Sequence, residues 1–289
     1  MDKFIILHIE GGIGKNVVAT SVVRAISKKY KDRKIIILTA HVDIWICNPR
    51  VFKVLEFGKV PYFYQDYIDQ KETILFLQDP YRQEDLIYRR KHLSQVWCEM
   101  YGIEWDGEKP ELYFTNLELD TVSLLINKQK PIFLIQPFGG SPGQQSKYSW
   151  SRDIPPQIAQ IIVDEMSKDY RVIQIRREDQ TGLNGCESLS LNPRQLALSL
   201  YLSDKRLLID SYMQHAAASL ELKSTVLWIS NSPKVFGYEL HNNIVSEFKQ
   251  GSLRNSLYDP FDIVGNDTTQ IATPPNNLFN IEEIIKSLR

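Results

Sequence analysis

The chain has 289 residues, 43% hydrophobic and 24% charged, with a formal net charge of −1. Those figures describe a folded globular protein of one large domain or two ordinary ones, and they argue against a nucleic-acid binder that works through a global basic excess. Cys47, Cys98 and Cys186 stand far apart with no CxxC pair, which argues against a disulfide framework or a structural zinc site.

The chain opens on Phe4 to Ile9, a run apolar but for His8 and expected of a strand buried on both faces of a parallel sheet. Gly11, Gly12, Gly14 and Lys15 come next, and Val18, Val22 and Ile26 then recur at helical spacing. This resembles the strand, glycine turn and helix of a phosphate-binding loop, but the match is incomplete. That loop needs a Ser or Thr after its lysine to hold magnesium, and here the residue is Asn16. The first glycine of Gx4GK is absent, and Glu10 replaces the first lysine of the shorter KGGxGK pattern. A deviant triphosphate hydrolase is therefore the weakest of the readings.

Residues 35–38, IIIL, make a second strand, and 85–101 are expected to form one helix with Leu86, Leu93, Val96, Trp97 and Met100 on its apolar side. After KQKP at 128–131 a second β-α series begins. PIFLIQPF, RVIQIRR, KRLLID and KSTVLWIS read as strands; PPQIAQIIVDEMSK, NPRQLALSLYLSD and SYMQHAAASLEL read as helices. Such alternation implies open, mostly parallel α/β sheets covered by helices. Two series imply two Rossmann-like lobes, residues 1–129 and 130–289, facing across a cleft that holds the active site. IEEIIKSLR closes the chain as a short helix.

The later half carries a more specific pattern. IDSYMQHAAASLEL resembles the donor-binding segment of the heptosyltransferase-like glycosyltransferases, which read Asp-Ser/Thr-Gly, two variable residues, His, then small apolar residues. Asp210, Ser211, His215, Ala216, Ala217 and Ala218 match, while Tyr212 stands where glycine is usual. LIQPFGGSPGQQSKYSW is similar to the family's other donor loop, with Gly139 and Gly140 in the turn and Lys147 and Trp150 at the matching positions. Val23-Arg24-Ala25-Ile26 resembles the end of the family's first helix, which makes Gly12, Gly14 and Asn16 an acceptor-side loop.

The resemblance implies a GT-B fold and inverting transfer of a heptose or hexose from a nucleotide-sugar to a glycan or glycolipid. It implies donor-binding roles for Gly139, Gly140, Lys147, Trp150, Asp210, Ser211 and His215. The sequence has no Asp-x-Asp pair to hold a divalent metal, and no cofactor is expected. Helix N-termini and a cation could instead stabilise the departing diphosphate. Read alone, Asp210-Ser211 is a helix cap worth about 1 kcal/mol.

The resembling enzymes place an Asp directly after the loop glycine as catalytic base; here that position is Lys15. An ammonium has no lone pair with which to accept a proton. Lys15 and Asp43 are the catalytic candidates, with Glu10 as a further carboxylate, and a catalytically silent relative that only binds is the alternative. Lys28, Lys29, Lys31, Arg33 and Lys34, and again Arg89, Arg90 and Lys91, could rest on an anionic membrane face; solvated surface is the commoner fate of such runs. Phe57, Tyr62, Phe63, Tyr64 and Tyr67 could serve as sugar-stacking surface or pack beneath a loop. The N-terminus lacks a signal-peptide pattern and no apolar run approaches the roughly 18–20 residues of a membrane span. The expectation is a cytoplasmic protein, with peripheral contact at the inner face of a membrane.

Overall fold

The computed structural model describes residues 2–140, 152–189, 191–229, 231–246 and 278–289. They form two units, Met1–Thr115 and Asn116–Arg289.

In the first unit, β1 (Lys3–Ile9) leads through α1 (Ile13–Lys29) to β2 (Lys34–Thr39) and β3 (Lys53–Glu56). A short helix α2 (Phe63–Tyr67) precedes β4 (Glu72–Phe76). The sheet order is β3-β2-β1-β4, parallel throughout, with Leu7 opposite Ile37 on one side and Phe76 on the other. α1 is rich in β-branched residues that favour helices weakly, yet Val17, Val18, Val22, Val23 and Ile26 are all fully buried, so packing overrides propensity. Lys28 and Lys29 in its last turn complement the negative end of its dipole.

The helix expected over 85–101 is broken. α3 (Glu84–Ile87) ends where Arg89 takes the left-handed conformation at φ 55°, and α4 (Leu93–Met100) starts afresh with the His92 ring accepting from the Ser94 amide. Leu86, Leu93, Val96 and Trp97 are nonetheless buried, as their spacing implies. The aromatic segment divides: Tyr67 packs edge-on against Phe4 and Phe63 packs against Tyr67, while Phe57, Tyr62 and Tyr64 are exposed.

The second unit begins with α5 (Asn116–Ile126), which packs on α7 (Pro193–Leu202) through a two-pronged Arg194–Glu118 ion pair at 2.5 and 3.0 Å. Its remaining elements are β5 (Ile132–Ile135), α6 (Pro156–Met166), β6 (Arg171–Gln174), β7 (Glu187–Ser188), β8 (Lys205–Ile209), α8 (Tyr212–Ser219), β9 (Thr225–Trp228), α9 (Pro233–Phe236), β10 (Asn242–Val245) and α10 (Ile281–Leu288). The sheet order is β10-β9-β8-β5-β6-β7, again all parallel. Its core joins Phe133, Ile135, Leu207 and Ile209 to Ile158 and Ile162 of α6 and Ile284 and Leu288 of α10. The sequence places the division between lobes at 129–130, whereas the two units meet at 115–116, because α5 joins the second unit through α7.

Each sheet has one point where the chain reverses its direction of travel across the strands. In the first it lies between β1 and β4, in the second between β5 and β8. Loops leaving the carboxyl ends of adjacent strands part at such a point and open a crevice, the usual ligand position in open α/β sheets. Among the described residues no helix is long and apolar enough to cross a membrane.

Candidate functional site

At the reversal of the second sheet, the loop after β5 carries Gly139 and Gly140 and the loop after β8 carries Asp210 and Ser211, so two of the predicted donor segments converge. The Ser211 hydroxyl donates to Gln136 Oε1 at 2.6 Å and makes no capping bond to α8, although Ser211 occupies the cap position. The amides in the first turn of α8 therefore donate no hydrogen bond to that side chain. Gly139 is held at both polar ends: its amide donates to Asp153 at 2.8 Å, and its carbonyl accepts from Gln180 at 2.7 Å and Arg177 at 3.0 Å. Gly140 turns the chain at φ 97°, a conformation that favours glycine.

Arg152, which the sequence does not single out, completes the cluster. A Cβ placed on Gly139 would lie only 2.9 Å from Arg152 Nε, so the absence of a side chain there admits the guanidinium. Arg152 Nε is buried and has no hydrogen-bond partner among the described residues. Burial pushes the Asp210 carboxyl above its ordinary range, while the Asn231 amide and the Arg152 charge pull the other way. A carboxyl that resists ionisation competes poorly for a neighbouring cation, which leaves Arg152 available to an incoming anion. Lys147 and Trp150 lie outside the described residues.

His215 is buried, with Nδ1 2.8 Å from the Tyr238 hydroxyl and Gln214 alongside. Nearby, His241 bonds the Gln214 carbonyl at 3.0 Å, and burial pushes it down to about 4 from an ordinary 6.5. The unfolded chain thus binds a proton near pH 6.5 that the folded chain refuses until about pH 4, so stability falls as pH drops through that window. Acidifying from pH 7 to 5 is expected to cost about 2 kcal/mol from this group alone. His241→Gln, which can still donate to that carbonyl, should flatten a melting-temperature series over the same range; an unchanged slope would assign it elsewhere.

In the first unit, Gly11 turns β1 into α1 at φ 96° and lets the Lys15 stem pass beneath it. Lys15 does not point to solvent: its side chain is 4% exposed, and its ammonium meets Asp79 Oδ2 at 2.8 Å, 4.6 Å from the Tyr81 ring centre and 5.5 Å from that of Trp97. A triphosphate-gripping lysine has to reach its phosphates, and this one is engaged within the unit. Asn16 is also fully buried. Its Oδ1 accepts from Thr39 at 2.7 Å and from Trp45 at 3.1 Å, and its amide donates to the Gly12 carbonyl at 3.2 Å. Gly12 is exposed beside it at the helix start, and Gly14 lies in the first turn. Asp43 is exposed in a 3-10 turn, Val42–Trp45, after β2, and Glu10 is exposed with its carboxylate 3.8 Å from His8.

Much of the basic surface is paired with acids. Lys28 meets Asp106 at 2.6 Å and Lys34 meets Asp2 at 3.1 Å, while Arg33 meets Glu72. Arg90 and Lys91 pair with Glu84, Asp85 and Glu99. These pairs lower the net positive charge that either run offers an anionic surface.

No protein-family model and no curated protein matches this sequence. Solved structures do match. A glycosyl transferase of family 9 from Veillonella parvula has a TM-score of 0.63 at 10% identity, covering 99% of this chain and 95% of its own. E. coli ADP-heptose lipopolysaccharide heptosyltransferase II follows at 0.57 and 13%, covering 87% and 92%. The E. coli heptosyltransferase WaaC with ADP gives 0.51 and 11%, covering 84% and 90%. The architecture, two α/β units with parallel sheets, is the GT-B fold of heptosyltransferase-like glycosyltransferases, as the sequence pattern implied.

Proposed function

We propose that this chain is a glycosyltransferase that moves a heptose or hexose from a nucleotide-sugar to a glycan or glycolipid acceptor, without a divalent metal and with inversion at the anomeric carbon. The observation that carries the reading is the guanidinium of Arg152, its Nε buried without a partner among the described residues, beside Gly139 and Asp210 at the reversal of the second sheet. A diphosphate placed there would meet that cation and the first-turn amides of α8, two sources of positive potential suited to a leaving group that gains charge. The missing Asp-x-Asp pair supports the metal-free route. The solved relative with ADP makes an adenine donor the first to try.

On this reading the second unit takes the donor and the first the acceptor, with Gly12 and Gly14 at the acceptor loop and exposed Phe57, Tyr62 and Tyr64 offering faces for sugar rings. The second reading, a silent relative that binds without turnover, is favoured by Lys15 at the position where the resembling enzymes carry a carboxylate.

Isothermal titration with ADP, UDP and GDP in the presence of EDTA tests the donor site. One diphosphate is expected to bind without magnesium. Binding only of triphosphates, and only with magnesium, would overturn the proposal in favour of a nucleotide hydrolase.

A further inference from the structure

We infer that Asp79 is the catalytic base, the carboxylate that takes the proton from the attacking hydroxyl; this rests on the transferase reading above. Asp79 lies after β4, and Lys15 lies after β1. Their 2.8 Å ion pair therefore spans the reversal of the first sheet, where a bound acceptor is expected. Sequence separation hides this pairing, since the partners stand 64 residues apart.

The carboxylate is held firmly and left reachable. Oδ2 accepts from Lys15, Oδ1 accepts from the Tyr81 amide at 2.9 Å, and the side chain is 29% exposed where the lysine is 4% exposed. Each oxygen keeps a second acceptor position for a substrate hydroxyl. Lys15, buried against Tyr81 and Trp97, is a positioning residue that fixes the carboxylate's orientation. The position expected to supply a base after the loop glycine supplies instead the cation that anchors one, arriving from the neighbouring strand. Asp43 lies after β2, across β1 from β4 and off the reversal, and Glu10 is largely exposed beside His8.

In the step itself the acceptor O–H bond breaks and its proton passes to Asp79. The acceptor oxygen forms a bond to the anomeric carbon as the bond from that carbon to the donor phosphate breaks. The electron pair leaves with the nucleoside diphosphate. With water as acceptor the same step hydrolyses the donor, which gives an assay that needs no knowledge of the natural acceptor.

The test uses the full chain with ADP-heptose and no added acceptor, tracking ADP release beside ADP affinity. Asp79→Asn keeps the acceptor for Lys15, and Asp79→Ala opens space for a small acid. Both are expected to release ADP at least about 100-fold more slowly, the scale of lost general-base catalysis, while ADP affinity stays within about twofold. Added formate should restore about tenfold or more to Asp79→Ala and nothing to the parent. Release in Asp79→Asn within about fivefold of the parent overturns the inference, as does a loss in Asp79→Ala that formate fails to relieve. A parent that binds ADP and releases none from ADP-heptose overturns it too. A parent that binds no nucleoside diphosphate defeats the donor-site reading itself, a result separate from these. Should Asp79→Ala unfold, Asp79→Glu supplies the second arm: it retains the ion pair, shifts the carboxylate by one methylene, and is expected to lose at least about tenfold in release.

Discussion

Arg152→Ala is expected to weaken binding of a nucleoside diphosphate by about 10- to 100-fold in calorimetry, with no comparable loss of thermal stability. A charged hydrogen bond to phosphate contributes about 1.5–3 kcal/mol, and each 1.4 kcal/mol is tenfold in affinity. The fold loses little in exchange, because Arg152 Nε has no partner to forfeit among the described residues. Arg152→Lys should recover part of the affinity, keeping the charge and losing the planar fork. Gly139→Ala provides an independent check. It leaves the guanidinium in the chain but sets a methyl group 2.9 Å from Nε, so the arginine must shift and binding should weaken in the same direction. If Arg152→Ala and Gly139→Ala both bind as the parent does, the donor site lies elsewhere.

Asn16→Ala should lower the stability of the first unit by about 3–5 kcal/mol, seen as a fall in melting temperature of the order of 10 °C. The loss comes mainly from what is left behind. Trp45 and Thr39 are buried at 2% and 0% exposure, and both donate to Asn16 Oδ1. Without it, each becomes a buried donor with a lost acceptor, at about 1–3 kcal/mol apiece, and a small cavity adds to that. Thr39→Val removes one of those donors and leaves Trp45 bonded, so it should cost distinctly less. Equal effects of the two substitutions would show that Asn16 does not act as the shared acceptor. A residue assigned to the acceptor loop on sequence grounds is thus a structural pin, tying the start of α1 to the end of β2 and the turn after it.

The α/β alternation was legible because buried parallel strands such as those at Phe4 to Leu7 and Ile132 to Ile135 leave unbroken apolar runs. Gly139 and Asp210-Ser211 were legible as turns because the chain leaving a buried strand for a helix calls for small and polar residues directly after the apolar run. Other parts left no such mark. β4 is five residues long and only Phe76 in it is buried, so nothing set it apart as a strand and Asp79 attracted no notice. The break in the helix at 88–92 has neither glycine nor proline; it depends on Arg89 adopting a left-handed backbone and on His92 capping α4. Arg152 is distinguished only by the return of the chain past Gly139, a contact between distant positions that no spacing rule encodes.

The clamp on Gly139 bears on how a ligand would arrive. With its amide held by Asp153 and its carbonyl shared by Gln180 and Arg177, this stretch has already surrendered its conformational freedom during folding. An incoming molecule need not freeze it, so less of the contact energy goes to ordering the backbone. Loosening the strut, as Asp153→Ala would, leaves every proposed contact atom in place yet makes association entropically costlier, a signature that distinguishes rigidity from chemistry.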